Sequence, residues 1–124
     1  MEDLCYLLKE VGEAGMFRLN CSLEALHDSV QRAGFALFEA DISAAQSKGE
    51  MLAELARAIN APDWFGHNWD ALADALGDLS WNDAPGYVLL LHGGHPGGEE
   101  LDNILGATVE FWRLHGKPFW VFFA

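Results

Sequence analysis

Residues 62–76 read Pro-Asp-Trp-Phe-Gly-His-Asn-Trp-Asp-Ala-Leu-Ala-Asp-Ala-Leu, and this stretch is the most restrictive pattern in the chain. It places a pair of bulky aromatic residues and a glycine just before two aspartates, Asp70 and Asp74. The region from Ala58 to Trp112 contains nine acidic residues and no lysine or arginine. An uncompensated acidic stretch of this kind predicts a surface that attracts a basic partner.

The second half of this stretch has the pattern of a short amphipathic helix. Asn68 is predicted to cap it, and the helix should run to about Asp78. At about 100° per residue, Asp70 and Asp74 share one solvent-facing turn, while Asp78 is rotated toward one side. The buried stripe on the opposite side, at spacing i, i+3, i+4 and i+7, comprises Leu72, Ala75, Leu76 and Leu79.

Composition restricts the class of protein. A chain of 124 residues with 51% hydrophobic residues predicts one globular domain. Nineteen acids against seven bases give a net charge of −12, which repels nucleic acids and anionic membranes. The apolar runs are too short to span a membrane, and the acidic N-terminus does not resemble a secretory signal. Cys5 and Cys21 are interpreted as buried thiols, and a reduced, cytoplasmic protein is expected.

The apolar runs predict an α/β fold. Strands that are apolar throughout and separated by helices indicate a parallel sheet of three to four strands covered by helices. A strand over Met16–Leu19 and a helix from Ser22 to about Arg32 would add an N-terminal unit, and a short helix is also predicted within residues 2–11. The other predicted strands are Phe35–Ala40, Tyr87–His92 and Phe119–Phe123.

Two further helices are indicated by their end signals. Ser47 and Glu50 fit a capping box before a helix that ends ahead of Pro62. A glycine-rich loop over residues 93–98 leads into a long helix that begins at Glu99 and ends near Gly116. The predicted inner face of that long helix comprises Leu101, Ile104, Leu105, Thr108, Phe111 and Trp112.

Read as P-x-[aromatic]-[aromatic]-G-x-N-x-D-A-L-x-D-x-L, residues 62–76 resemble the signature of the barstar family of ribonuclease inhibitors. The resemblance extends from about Gly34 to Ala124, and the central motif is its specific part. It implies one barstar-like domain over 1–124, in which 34–124 form the core and 1–33 are an N-terminal extension.

The resemblance also implies a mechanism. Barstar blocks the active site of a small basic ribonuclease, barnase, with its acidic helix and the loop before it. By motif alignment, the two aspartates that take the places of RNA phosphates are Asp70 and Asp74. Trp64 stands where the family's protein has a loop tyrosine that stacks on the enzyme, Gly66 makes the turn, and Asn68 begins the helix.

Further contact residues follow with less support from the motif. Ala73 borders both aspartates, and its small side chain leaves room for a partner. His67, Asp78, Trp81 and Glu110 are additional candidates. The family's glutamate on the last long helix aligns with Phe111, which the periodicity assigns to the core.

Other readings of these residues remain open. Asp70 and Asp74 beside His67 could act as a catalytic acid and base, but no pocket or orienting group is recognisable. The same three side chains, or His92 with His95, could bind a metal, although neither set has a strong ligand spacing. A third alternative is a barstar-like module that binds or regulates a protein without inhibiting a nuclease.

The sequence therefore predicts an intracellular protein inhibitor of a basic ribonuclease or toxin. It is expected to perform no chemistry, and to need no cofactor or metal. It should bind neither nucleic acid nor membrane, and exist as a monomer or weak dimer.

Overall fold

The computed structural model describes residues 8–61, 68–93 and 99–124. Short 3₁₀ turns cover Val11–Glu13 and Ser80–Asn82. The helices and strands are β1 (Met16–Arg18), α1 (Leu23–Ala33), β2 (Ala36–Asp41), α2 (Lys48–Ala58), α3 (Trp69–Leu76), β3 (Tyr87–His92), α4 (Glu99–Leu114) and β4 (Phe119–Phe123).

The strands of the described ranges form one four-stranded parallel sheet in the order β1-β4-β3-β2. The register pairs Leu37 with Val88 and Leu89 with Val121. The two strands with the most continuous burial, β3 and β4, lie in the centre, where both faces are covered. The predicted α/β fold with a helix-covered parallel sheet is confirmed.

Alternate residues of the central strands enter two separate cores. Leu89 and Val121 point to the face where α2, α3 and α4 pack. Val88, Leu90 and Trp120 point to the opposite face, which α1 covers. The layer that carries the acidic helix is therefore α2–α4, and the sheet separates it from α1.

Several predicted helix ends are present with their expected hydrogen bonds. The Ser22 hydroxyl accepts from Ala25 N at 3.1 Å, and Gly34 ends α1 with a φ of 74°. Ser47 Oγ accepts from Glu50 N at 3.1 Å, as a capping box requires. The reciprocal bond differs, because Glu50 Oε2 accepts from Gln46 N at 2.6 Å.

Besides the pairing of β1 with β4, side-chain hydrogen bonds attach the N-terminal segment to the rest of the fold. Trp120 Nε1 donates to Leu8 O at 2.9 Å, and Arg113 Nη2 donates to Ala14 O at 2.6 Å. Most of the predicted helix over residues 2–11 lies outside the described residues, and Val11 begins a 3₁₀ turn instead. The division into an extension over 1–33 and a core over 34–124 stays a prediction.

The reading of Cys21 as a buried thiol is wrong. Cys21 is only partly buried and is disulfide-bonded, and Cys5 lies outside the described residues.

In the described ranges, no helix is long and apolar enough to cross a membrane.

Candidate functional site

The acidic helix α3 begins with a side-chain cap. Asn68 Oδ1 accepts from Ala71 N at 2.8 Å, which satisfies one of the free amide groups of the first turn. Asp70 lies in that first turn, where its carboxylate complements the positive end of the helix dipole. The helix ends at Leu76, two residues earlier than the predicted end near Asp78, and Gly77 follows as its C-cap.

The helix turns its carboxylates outward, as predicted. Leu72, Ala75 and Leu76 are buried, with at most 1% of their surface exposed. Asp70, Ala73 and Asp74 are all exposed. This side of α3 therefore presents two acids with a methyl group beside them, and its other side is fixed in the core.

No ion pair joins Asp70 or Asp74 to any described residue, although other acids of the chain are paired. Arg57 pairs with Glu54 at 2.9 Å, and Lys117 pairs with Asp83 at 2.7 Å. Carboxylates that lack an internal cation keep their full capacity to accept hydrogen bonds from an external one.

Two tryptophans anchor the C-terminal end of the acidic helix and the segment after it to neighbouring elements. Trp112 Nε1 donates to Leu76 O at 2.8 Å and so connects α4 to the last turn of α3. Trp81 Nε1 donates to Ile59 O at 2.8 Å and ties the segment after α3 to the end of α2. These bonds and the buried stripe hold α3 in one position before any partner arrives, which lowers the entropy cost of binding.

A groove of about 380 Å³ lies between α3 and α4. The α3 side contributes Ala73, Asp74 and Gly77. The α4 side contributes Ile104, Ala107, Thr108 and Phe111. The acidic surface thus continues into a mostly apolar depression.

The assignment of Phe111 to the core is wrong. Its side chain is 37% exposed and lines the groove, whereas Trp112 beside it is buried. At 3.6 residues per turn, Phe111 lies roughly 100° from the centre of the buried stripe of α4. That stripe comprises Leu101, Leu105, Thr108, Val109 and Trp112.

The Phe111 ring is nevertheless held in place by its neighbours. It stacks on the His115 imidazole with ring centroids 4.2 Å apart and meets the Trp112 indole edge-on at 5.1 Å. The His115 ring in turn hydrogen-bonds through Nδ1 to Phe111 O at 2.7 Å. These contacts restrict the exposed Phe111 ring to one orientation.

Two titratable groups near the helices are shifted by hydrogen bonds. The pKa of Lys117 is raised because its ammonium donates to Asp83, and the Tyr87 and Trp112 rings lie 5.7 and 5.4 Å away. The pKa of Asp41 is lowered because the hydroxyl and amide of Ser43 donate to its carboxylate. Both shifts favour the charged forms at neutral pH.

A family model described as barstar (barnase inhibitor) matches residues 35–124. The chain belongs to the barstar family. Its matched part contains β2 to β4, all three helices of the acidic layer and the groove. The searches of curated proteins and of solved structures found no match. The family is one of inhibitors rather than enzymes.

The predicted barstar-type contact residues fall into two groups. Asn68, Asp70, Ala73 and Asp74 come together at the cap and on the exposed side of α3. Trp64, Gly66 and His67 lie outside the described residues. Whether any of these residues contacts a partner stays a prediction.

The additional candidates differ in how far internal hydrogen bonds and ion pairs engage their side chains. Asp78 is exposed, and its carboxylate accepts from Ser80 Oγ at 3.2 Å. Glu110 is exposed but pairs with Arg113, and Trp81 is half-buried with its indole N–H used internally. Asp78 therefore has the least engaged side chain of the three.

Sequence reasoning missed the α4 side of the groove. One signal was available, because Ile104, Ala107, Phe111 and Leu114 follow a 3-4-3 spacing that defines a second apolar stripe beside the buried one. Leu114 at the end of this stripe is 79% exposed. The depth of the groove depends on the distance between α3 and α4, and the residue spacing along α4 does not determine that distance.

The metal alternatives receive no support from the described part of the chain. It contains no group of three or more histidine, cysteine or acidic side chains arranged to hold a metal ion. His67 and His95, on which the two suggested sites depend, lie outside the described residues.

Proposed function

We propose that this chain inhibits a basic ribonuclease by covering the enzyme's active site with α3 and the segment that precedes it. The observation that carries the proposal is the pair of outward carboxylates, Asp70 and Asp74, on a capped helix of a barstar-family protein. Trp64 and Gly66 are proposed to extend the contact from the preceding segment, with Asn68 fixing the first turn and Ala73 admitting the partner's surface. No cofactor is required.

The chemistry of the two carboxylates suits a ribonuclease active site. Such a site binds phosphate anions with arginine, lysine and histidine side chains. Two carboxylates one helical turn apart offer those cations negative oxygens in place of two phosphates, through charge-assisted hydrogen bonds. Binding removes water from this contact, so each lost carboxylate should leave an enzyme cation without its partner.

The charge of the whole chain supports the same partner. A net charge of −12 attracts a basic enzyme over distances well beyond contact and raises the association rate. This long-range attraction is screened by salt, since the Debye length falls from about 10 Å at 0.1 M to about 3 Å at 1 M. We expect association to slow strongly between those salt concentrations, with a smaller effect on dissociation.

The decisive experiment titrates the chain against purified barnase and a set of other small basic ribonucleases while RNA cleavage is monitored. Inhibition predicts that one equivalent abolishes cleavage by at least one enzyme. Asp70→Asn/Asp74→Asn should restore cleavage. Glu24→Gln is the matched control, because Glu24 is an exposed acid in the first turn of α1 on the other side of the sheet.

A regulatory module without inhibition is the second candidate. A pull-down from lysate at low salt separates the two, because it requires only binding. Capture of a basic non-nuclease protein that depends on Asp70 and Asp74, with all ribonucleases still active, would establish the second candidate and reject inhibition. If capture is the same for the double variant, the acidic side of α3 is not an interface.

We propose a cytoplasmic location and a monomeric or weakly dimeric state. The disulfide at Cys21 provides a direct test of location, because disulfides persist mainly in oxidising compartments. A cytoplasmic location predicts that this disulfide is reduced in the cell, so that Cys21 reacts with a thiol-alkylating reagent once the acid-quenched proteins are returned to neutral pH under denaturing conditions. Full protection of Cys21 until a reductant is added would contradict the cytoplasmic location.

A further inference from the structure

Among the described residues that line the α3–α4 groove, only Asp74 carries a charge. The Thr108 hydroxyl is already used, since it donates to Ile104 O of its own helix at 2.8 Å. The remaining surface comes from Ala73, Gly77, Ala107 and other apolar groups. An occupant must therefore be apolar along most of its length and positive near Asp74.

Phe111 adds a second requirement. Its ring is fixed by His115 on one side and by Trp112 at its edge, and the remaining exposed surface borders the groove. Phe111 and Asp74 line the same groove, and this pair favours a planar cation, because a guanidinium can pair with the carboxylate and also stack on the ring. An ammonium pairs with the carboxylate but presents no plane to stack.

We propose that the groove receives an arginine side chain of the basic partner, with Phe111 as the residue that selects arginine over lysine. The methylene groups would lie along Ala107 and Gly77, and the guanidinium would reach Asp74. This inference rests on the proposed function for the identity of the partner, but the groove's preference for arginine does not depend on what the partner does.

The direct test uses small probes and no ribonuclease. N-acetyl-arginine amide, N-acetyl-lysine amide and N-acetyl-citrulline amide are titrated separately into the ¹⁵N-labelled chain. The arginine probe should shift the amide signals of Ala107 and Thr108, with a dissociation constant on the order of 10 mM. The lysine probe should bind at least about threefold more weakly, because it lacks the stacking contribution. Citrulline has the same shape without the charge and should not bind.

Variants then distinguish the contribution of the groove to arginine binding from the contribution of the acidic charge. Ala107→Leu fills the groove and leaves every carboxylate in place. Gly106→Leu is its control, because the same side chain is added one residue away, where a Cβ meets nothing within 4 Å. Ala107→Leu should weaken arginine binding more than about tenfold by steric exclusion, and Gly106→Leu should change it less than about twofold. Phe111→Leu should remove the preference for arginine over lysine.

The outcomes distinguish this inference from the proposed function. Equal binding of citrulline and arginine, or shifts confined to signals away from α3 and α4, would overturn the arginine site. If the chain inhibits a ribonuclease and Ala107→Leu inhibits it as tightly as wild type, the groove is not part of the interface, although inhibition stands. If no ribonuclease is inhibited, selective arginine binding in the probe titration still supports the groove.

Discussion

Asp74→Asn should make the protein more stable and a worse binder. Asp74 lies four residues after Asp70, and like charges at this spacing cost a helix roughly 0.2–0.5 kcal/mol. It also lies in the second half of α3, where the helix dipole disfavours a negative charge by about 0.3 kcal/mol or more. Asparagine and aspartate have similar helix propensities, so removing the charge should raise the free energy of unfolding by about 0.5 kcal/mol. The melting temperature should rise by about 2 °C.

Binding should change in the opposite direction and by more. Loss of one member of a hydrogen-bonded charge pair in a desolvated interface costs about 2–5 kcal/mol, or roughly 30- to 4,000-fold in the dissociation constant. Calorimetric unfolding and surface plasmon resonance against the inhibited enzyme measure both effects on one sample. Asp70→Asn is the internal comparison, because its favourable position in the first turn should leave stability nearly unchanged.

A loss of stability in Asp74→Asn would contradict the role given to this carboxylate. If Asp74→Asn unfolds at a temperature several degrees lower than wild type, the carboxylate has a structural partner and is not held free for binding. A stable variant that binds as well as wild type would refute the role of Asp74 without affecting the account of the helix.

Substitutions at three further positions test the contacts that hold the site in place. Asn68→Ala should lower the free energy of unfolding by about 1 kcal/mol in a urea titration, while Asn68→Asp, which also caps helices, should not. Trp112→Phe leaves the Leu76 carbonyl without its donor and should cost about 1–3 kcal/mol in the same assay, with a smaller loss contradicting the role of this bond. The raised pKa of Lys117 means that its pairing with Asp83 stabilises the fold fully below about pH 10, the unfolded-chain value, and is lost as the pH rises through the folded value. The urea midpoint of Lys117→Gln should therefore be lower than that of wild type at pH 8, and the difference should shrink above pH 10.

The sequence predicted those parts of the fold and site that depend on local rules. The caps at Ser22, Ser47 and Asn68 and the outward direction of Asp70 and Asp74 follow from residue type and helical periodicity. Phe111 was wrongly assigned because α4 has two neighbouring apolar stripes, and the rotation of the helix about its axis decides which of them faces the core. That rotation is fixed by the packing of α4 on α3, a contact between segments far apart in the chain.

The groove could not be predicted for a similar reason. Its depth depends on the distance between α3 and α4, and residue spacing within one helix does not determine that distance. In contrast, the apolar pattern of β3 and β4 predicted their burial on both faces, because a strand without alternating polar residues has no polar face that can be exposed to solvent.

The position of β4 has a consequence for biosynthesis. Residues 119–123 form an interior strand of the sheet, and Met16 pairs with Val121 across most of the chain. On the ribosome, β1 has no strand of the described sheet to pair with until β4 has emerged. Pairings this distant in sequence also slow folding. β1 is therefore without a strand partner while residues 19–118 are being synthesised.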